Sequence, residues 1–167
     1  MPPSPSNGVI EIAALKRGEN RFHLSPDEIE RRRIAERLGE PGVASLTGDF
    51  VLSPVAGGVD LRLHLKAEVN RLCVASLEPM IETVDERYAI RFERDFREDD
   101  AAETDDVCRE PLEGDTINLE EILTQHLSLS LVPHPRKEGA RSLAEVYRDP
   151  VNLSPFAGLK GIVDGGG

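Results

Sequence analysis

The chain has 167 residues, 39% hydrophobic content and a net charge of −11, which is typical of one soluble globular domain. Its N-terminus lacks the basic and apolar stretches of a secretory signal, and no apolar run approaches the roughly 20 residues that span a bilayer. We therefore expect a cytoplasmic protein with no membrane contact, whose two cysteines are free thiols.

The negative charge is concentrated in one part of the chain. Residues 78–121 carry 17 acidic and 5 basic side chains, whereas residues 1–77 are neutral and residues 122–167 have a net charge of +1. Such a segment repels a phosphate backbone and attracts a basic partner. A solvated acidic loop that only keeps the protein soluble explains the same pattern, and both interpretations stay open.

The N-terminal third predicts a disordered start, a strand and a helix. Residues 1–8 are rich in Pro and Ser and are predicted to be disordered, and residues 9–15 then alternate as a first strand. A capping box with Ser25 at the N-cap predicts a helix over residues 26–38. Gly39 is a typical helix stop.

The densest basic cluster lies on this predicted helix. Arg31, Arg32 and Arg33 follow one another and could contact RNA. Glutamates flank the run, and a helix face with alternating charges is more often a solvated surface.

After this helix the hydrophobic period changes to two. Residues 43–55 are predicted to form a strand broken at Gly48, and residues 59–69 alternate strictly, which predicts an antiparallel strand with one buried face. At Arg71-Leu72 the apolar phase shifts by one residue, which predicts a bulge or a bend. Residues 81–93 form the next predicted strand.

The remaining chain predicts a long acidic loop and a second helix. Residues 95–115 are acidic and aperiodic, and Asn118 is the N-cap of a helix predicted over residues 119–131, which later prolines end. Residues 161–167 are predicted to be a flexible tail. The expected fold is α+β, with an open or barrel-like antiparallel sheet, two flanking helices and the acidic loop.

Signatures of catalysis are absent from the sequence. It has no phosphate-binding loop, dinucleotide fingerprint, nucleophile elbow or HExxH motif. None of its four histidines lies at metal-ligand spacing from another histidine or a cysteine, and the acidic loop lacks the EF-hand pattern. We expect a protein that is not an enzyme and that binds no cofactor or metal. A metal-dependent hydrolase is the least favoured class.

Three segments carry a family resemblance. The segment Leu72-Cys73-Val74-Ala75-Ser76-Leu77-Glu78-Pro79 resembles the Cys-x-x-Cys-Leu-Glu-Pro box of the YceD family, with Ser76 in place of the second cysteine. Residues 118–123 and 127–137 are similar to the family's Leu-rich helix and its proline-containing exit, and residues 154–159 to its C-terminal segment. The resemblance covers residues 8–160 and predicts a single domain over residues 9–160.

The resemblance implies a non-enzymatic factor that supports accumulation and maturation of large-subunit ribosomal RNA. Its expected partners are that RNA or a pre-ribosomal particle. The candidate RNA- or partner-binding residues are Cys73, Leu77, Glu78, Pro79, His134, Pro135, Arg136, Lys137 and Arg141. The box around Cys73 is alternatively a structural corner with no contact role.

Two mechanisms remain open. In the first, the basic clusters at residues 31–33 and 136–141 contact RNA while the acidic loop points away. In the second, the acidic segment binds a basic ribosomal protein, and genes of this family commonly neighbour one that encodes such a protein. Because Ser76 replaces a thiolate ligand, we expect neither zinc nor disulfide chemistry, and Cys73 is expected to be a small buried apolar side chain.

Overall fold

The computed structural model describes residues 8–96 and 107–141. Four predicted features therefore lie wholly or largely outside the described residues. They are the disordered start at 1–8 apart from Gly8, the most acidic part of the predicted loop at 97–106, the family-like segment at 154–159 and the tail at 161–167.

Strands dominate the described residues, and the predicted α+β class is confirmed. The strands are β1 (Val9–Glu11), β2 (Asn20–Leu24), β3 (Gly42–Val55), β4 (Gly58–Leu72), β5 (Pro79–Glu93), β6 (Cys108–Pro111) and β7 (Thr116–Asn118). The helices are α1 (Glu28–Leu38) and α2 (Leu119–Ser130).

The main sheet is open and has five strands in the order β2-β3-β4-β5-β6. The first four strands pair antiparallel, which agrees with the predicted antiparallel sheet although β2 itself was not expected, and the sheet does not close into a barrel. β6 pairs parallel with β5, so a strand lies within the predicted acidic loop. β1 and β7 form a separate two-stranded sheet.

The core lies between the inner face of the main sheet and α2. Phe50 pairs with Leu63 and Leu52 with Leu61, and all four side chains are buried. Gly48 does not break β3, contrary to the prediction. A Cβ atom at Gly48 would lie 2.8 Å from a methyl carbon of Leu123 in α2, so glycine here permits close packing of helix on strand.

Helix α1 begins later than predicted. Its N-cap is Asp27, whose side chain accepts a hydrogen bond from the backbone N–H of Glu30, and the Glu30 side chain completes the capping box. Ser25 is not the cap. Both residues fit the spacing of a capping box, but Pro26 is buried and the helical turn starts only after Asp27. The predicted stop is confirmed, because Gly39 is the left-handed C-cap.

The segment before α1 differs most from the prediction. The first strand ends at Glu11 and a short 3₁₀ helix, Ile12–Ala14, replaces the rest of it. β2 was not predicted. Its five residues alternate too weakly for a periodic signal, and pairing with β3 determines that they form a strand.

The start of α2 is as predicted. The Asn118 side chain accepts hydrogen bonds of 3.1 Å from the backbone N–H groups of both Glu120 and Glu121. The helix ends at Ser130, one residue early. Neither described helix is long and apolar enough to cross a membrane.

The bulge predicted near Arg71 is wrong. β4 and β5 pair without a register shift from Gly58 to Leu72, and the irregularity lies instead between β3 and β4 at Val43 and Ser45. Alternation continues, so that Arg71 is buried and Leu72 is exposed. A buried arginine occupies the position at which the sequence pattern expected an apolar side chain.

Candidate functional site

The family-like box forms the connection between β4 and β5. We call residues 73–78 the corner. The Cys73 N–H donates to the Glu78 carbonyl at 2.9 Å, and the Leu77 N–H donates to the Cys73 carbonyl at 2.8 Å. Leu77 has a φ of 59°, a conformation that residues other than glycine rarely adopt. The turn holds the Leu77 side chain in solvent, where 61% of it is exposed.

The chain that follows α2 packs against this corner. We call residues 131–137 the exit segment. The Val74 N–H donates to the Pro135 carbonyl at 2.9 Å, and the Lys137 ammonium group lies 3.2 Å from a carboxylate oxygen of Glu78. The two motifs that carry the family resemblance, about sixty residues apart, therefore form one surface.

The Cys73 thiol lies where the corner and the exit segment meet. It is fully buried, and its sulfur accepts a hydrogen bond of 3.4 Å from the backbone N–H of Lys137. Hydrogen bonding to the Ser76 side chain, followed by that to the Lys137 N–H, lowers the pKa of Cys73 to about 7. The predicted burial of Cys73 is confirmed. Its sulfur takes part in hydrogen bonding, however, so it is not only an apolar side chain.

Arg71 fixes the exit segment beneath the corner. Its guanidinium lies 3.0 Å from Glu40 and 2.5 Å from Glu82, and it donates to the Val132 carbonyl at 2.7 Å. Glu82 in turn accepts a bond of 2.8 Å from the Val132 N–H. Burial favours the uncharged form, but the two carboxylates outweigh it and raise the pKa of Arg71.

This cluster was missed by sequence reasoning. The available signal was the alternation of β4, because a strict reading places Arg71 inward, and an inward arginine requires acidic partners. Ser76 was noted only as a missing cysteine, whereas its side chain is the largest cause of the lowered pKa of Cys73.

The predicted site residues divide by exposure. Cys73 and Pro135 are buried and can shape the surface but cannot contact a large partner. The exposed members are Leu77, Glu78, Pro79, His134, Arg136, Lys137 and Arg141. Lys137 pairs with Glu78, whereas Arg136 and Arg141 have no ion-pair partner among residues 8–96 and 107–141.

An exposed apolar patch surrounds the corner. Five of the nine large hydrophobic side chains that are exposed among the described residues lie here: Leu72, Val74, Leu77, Ile81 and Val132, with exposed fractions between 47% and 62%. We call these five residues the corner patch. A concentration of exposed apolar side chains in one region is typical of an interaction site.

The other basic cluster, residues 31–33, lies in α1, and its three side chains differ in exposure and in partners. Arg31 is half-buried and donates to the Pro26 carbonyl at 2.8 Å, and Arg32 lies 3.5 Å from Glu28. The exposure of Arg32 and Arg33 agrees with the solvated-face interpretation, whereas Arg31 is partly buried against the start of the helix.

His23, His64 and His126 have structural partners. His64 on β4 lies 2.6 Å from a carboxylate oxygen of Asp85. His126 is buried in an edge-to-face contact with Tyr88, and desolvation lowers its pKa. Across residues 8–96 and 107–141, no three His, Cys, Asp or Glu side chains are grouped so as to hold a metal ion. The absence of zinc stays a prediction.

Comparison with known proteins identifies the family. The family model described as "Large ribosomal RNA subunit accumulation protein YceD" matches residues 61–161, which is more than half of the chain. This range contains the corner, α2 and the exit segment. No curated protein and no solved structure gives a significant match. The chain therefore belongs to the YceD family.

Proposed function

We propose that this protein is a non-enzymatic, cytoplasmic factor that supports accumulation and maturation of large-subunit ribosomal RNA. The observation that carries the proposal is the family match over residues 61–161, since it spans both segments that meet at the corner. The role of the protein is then to bind a precursor of the large subunit through the corner surface.

The composition of this surface suits a ribonucleoprotein partner. The corner patch offers apolar contact area, Arg136 is exposed in the exit segment, and Arg141 is exposed four residues after that segment ends. Arginines contact phosphate oxygens and fix the position of a protein on RNA, whereas apolar residues dock on protein. A pre-ribosomal particle presents both kinds of surface.

The burial of the Cys73 thiol favours a binding role over catalysis. Cys73 has a pKa of about 7, but it is fully buried, so a substrate cannot reach its sulfur. Its hydrogen bonds join the corner to the exit segment, which is a structural task.

Charge reversal at the corner tests the proposal. The variant Arg136→Glu with Arg141→Glu removes two exposed cations without breaking the Lys137–Glu78 pair. Loss of two phosphate contacts is expected to weaken co-sedimentation with large-subunit precursors about tenfold at physiological salt. The matched control reverses Lys16 and Arg17, which are exposed before β2. Equal co-sedimentation of both folded variants with wild type would remove the corner cations from the interface.

A second candidate function is binding of a basic ribosomal protein. It is favoured by the net charge of −12 over residues 78–121, where 17 acidic side chains outnumber 5 basic ones. A net negative charge of this size supports fast, salt-sensitive association with a cationic protein.

Neutralisation of residues 97–106 tests this second function. Replacing their six Asp and Glu side chains with Asn and Gln removes the charge and keeps the length of the connection that the parallel pairing of β6 with β5 requires. We expect weaker binding of a purified basic large-subunit protein, and for the unchanged chain a steep loss of binding between low and physiological salt, since screening acts over about 8 Å at that ionic strength. Binding that survives both the neutralisation and the salt contradicts the acidic-segment mechanism.

A further inference from the structure

The corner patch is exposed at a cost to folding. Its side chains, Leu72, Val74, Leu77, Ile81 and Val132, are each exposed by 47% or more. Leu77 is held at a φ of 59°, which a glycine would adopt without strain, and its side chain gains no burial in return. Neither the backbone conformation nor the packing of the described residues accounts for a leucine here, so its side chain points to a contact outside them.

The described chain ends close to this patch. The backbone N–H of Lys137 donates to the Cys73 sulfur in the corner at 3.4 Å. The Ala140 N–H then donates to the Lys137 carbonyl at 3.0 Å, and Gly139 has a φ of 73°, so the chain turns here. Arg141, the last described residue, is therefore four residues from a direct contact with the corner, which is at most about 14 Å of extended chain.

The sequence that follows Arg141 is apolar and has no net charge. Residues 142–161 lie outside the described part of the chain, and their two acidic and two basic side chains cancel. Seven of these twenty residues are large and apolar, among them Leu153, Phe156 and Leu159. The family model extends to residue 161, so it covers this sequence together with the corner and the exit segment.

Charge favours residues 142–161 over a second copy of the chain as the occupant of the corner patch. Two copies would bring together molecules that each carry a net charge of −11, and this repulsion opposes their association. A neutral segment meets no such repulsion. Phe156 follows Arg141 by 15 residues, up to about 50 Å of extended chain, so the patch lies within its reach. Attachment through so short a connection gives an effective concentration on the order of millimolar.

We propose that residues 142–161 bind the corner patch of the free protein through their apolar side chains and leave it when a large-subunit precursor binds there. Burial of apolar surface supplies the attraction, and the covalent connection gives this segment its advantage over other chains. The segment is then an intramolecular competitor for the surface that the precursor uses. The competition rests on the proposed binding of a precursor through the corner, whereas the intramolecular contact does not.

Nuclear Overhauser effects in the full chain test the intramolecular contact. With the methyl groups of Ile, Leu and Val labelled, we expect cross-peaks between the Phe156 ring and the methyl groups of Leu77 and Ile81. The exposed methyl groups of Ile29 on α1 and Leu129 on α2 are the controls and should show none. Absence of the cross-peaks at the corner patch would overturn the proposal. So would cross-peaks that appear only at high protein concentration, because these would assign the patch to a second copy.

A matched pair of variants tests the competition. Phe156→Ser with Leu159→Ser removes two apolar side chains of the segment, and the control, Ile162→Ser with Val163→Ser, removes two that lie beyond the family match. A segment that occupies the patch in about nine molecules of ten lowers the apparent affinity for a precursor about tenfold. We therefore expect the first variant to bind large-subunit precursors about tenfold more tightly than wild type in co-sedimentation, and the control to equal wild type. Equal or weaker binding by the first variant would overturn the competition.

The two measurements distinguish failure of this inference from failure of the proposed function. Cross-peaks at the corner patch without co-sedimentation of any variant would overturn the competition together with precursor binding, and would support the intramolecular contact. Co-sedimentation of wild type without the cross-peaks would overturn the intramolecular contact and leave the proposed function standing.

Discussion

Arg71 is the one inward-facing side chain of β4 that carries a charge, and it joins three elements. It bonds to Glu40 after α1, to Glu82 on β5 and to the Val132 carbonyl in the exit segment. Its own exposure is 6%. The geometry of the corner therefore depends on a buried ion cluster, in which removal of one partner leaves the others uncompensated.

Replacing Arg71 with Met is expected to lower the free energy of unfolding by about 3–5 kcal/mol, because Glu40 and Glu82 would be left buried without a cation. Urea unfolding followed by circular dichroism measures the loss. The control is Arg62→Met on the same strand, where an exposed pair with Glu19 is worth about 1 kcal/mol or less. Similar losses for the two variants would contradict the role of Arg71.

Ser76 is expected to set the acidity of the buried thiol. Ser76→Ala removes the largest cause of the lowered pKa of Cys73, so this pKa should rise from about 7 towards its ordinary value. Thiolate absorbance against pH measures it, in a Cys108→Ser background so that only Cys73 titrates. A depressed thiol pKa adds stability as pH rises from about 7, so the stability difference between the two proteins should grow over that range. An unchanged titration would show that backbone donors alone act on the sulfur.

At the residue scale, the sequence predicted the helix caps better than it predicted the buried polar contacts. Gly39 and Asn118 were identified because helix ends depend on local chemistry. The contact between Arg71 and Glu82 was not identified. It depends on the register in which β4 pairs with β5, and the sequence of one strand does not specify that register.

Strands β3, β4 and β5 are the elements that the period-two pattern predicted best. The alternation of residues 59–69 continues through Arg71, so the prediction failed only where a charged side chain interrupted the pattern without changing the register. Short strands were missed for a different reason. β2 and β6 have five and four residues, and pairing with longer neighbours rather than their own periodicity makes them strands.

The tight connection between β3 and β4 offers a test at the element scale. A Cβ atom at Gly58 would lie 1.9 Å from the Phe92 carbonyl oxygen, where β5 passes closest. Gly58→Ala should therefore cost at least about 2 kcal/mol, because backbone on both strands must move apart.

Gly57 provides the matched control for this substitution. It has a φ of +80° but no atom within 4 Å of an added Cβ, so Gly57→Ala is strained without a clash and should cost about 1 kcal/mol. Thermal unfolding of both variants compares them. A Gly58→Ala variant no less stable than Gly57→Ala would mean that β4 and β5 separate easily at this end.

At the scale of the whole molecule, the β4–β5 hairpin and the chain after α2 form one surface. The corner at the end of β4 and β5 is joined to the exit segment, and the side chains of the corner patch are exposed there. Only the family resemblance placed residues 73–79 and 134–141 in one candidate binding site. Their contact arises from the path of α2 across the sheet, which local patterns do not encode.

The central claim is that the protein supports large-subunit ribosomal RNA by binding its precursor through the corner. The most direct measurement is the ratio of large- to small-subunit ribosomal RNA in cells depleted of the protein and complemented with either wild type or the Arg136→Glu, Arg141→Glu variant. The account predicts that depletion lowers the ratio, that wild type restores it, and that the equally abundant corner variant does not. A ratio that stays unchanged on depletion would contradict the account.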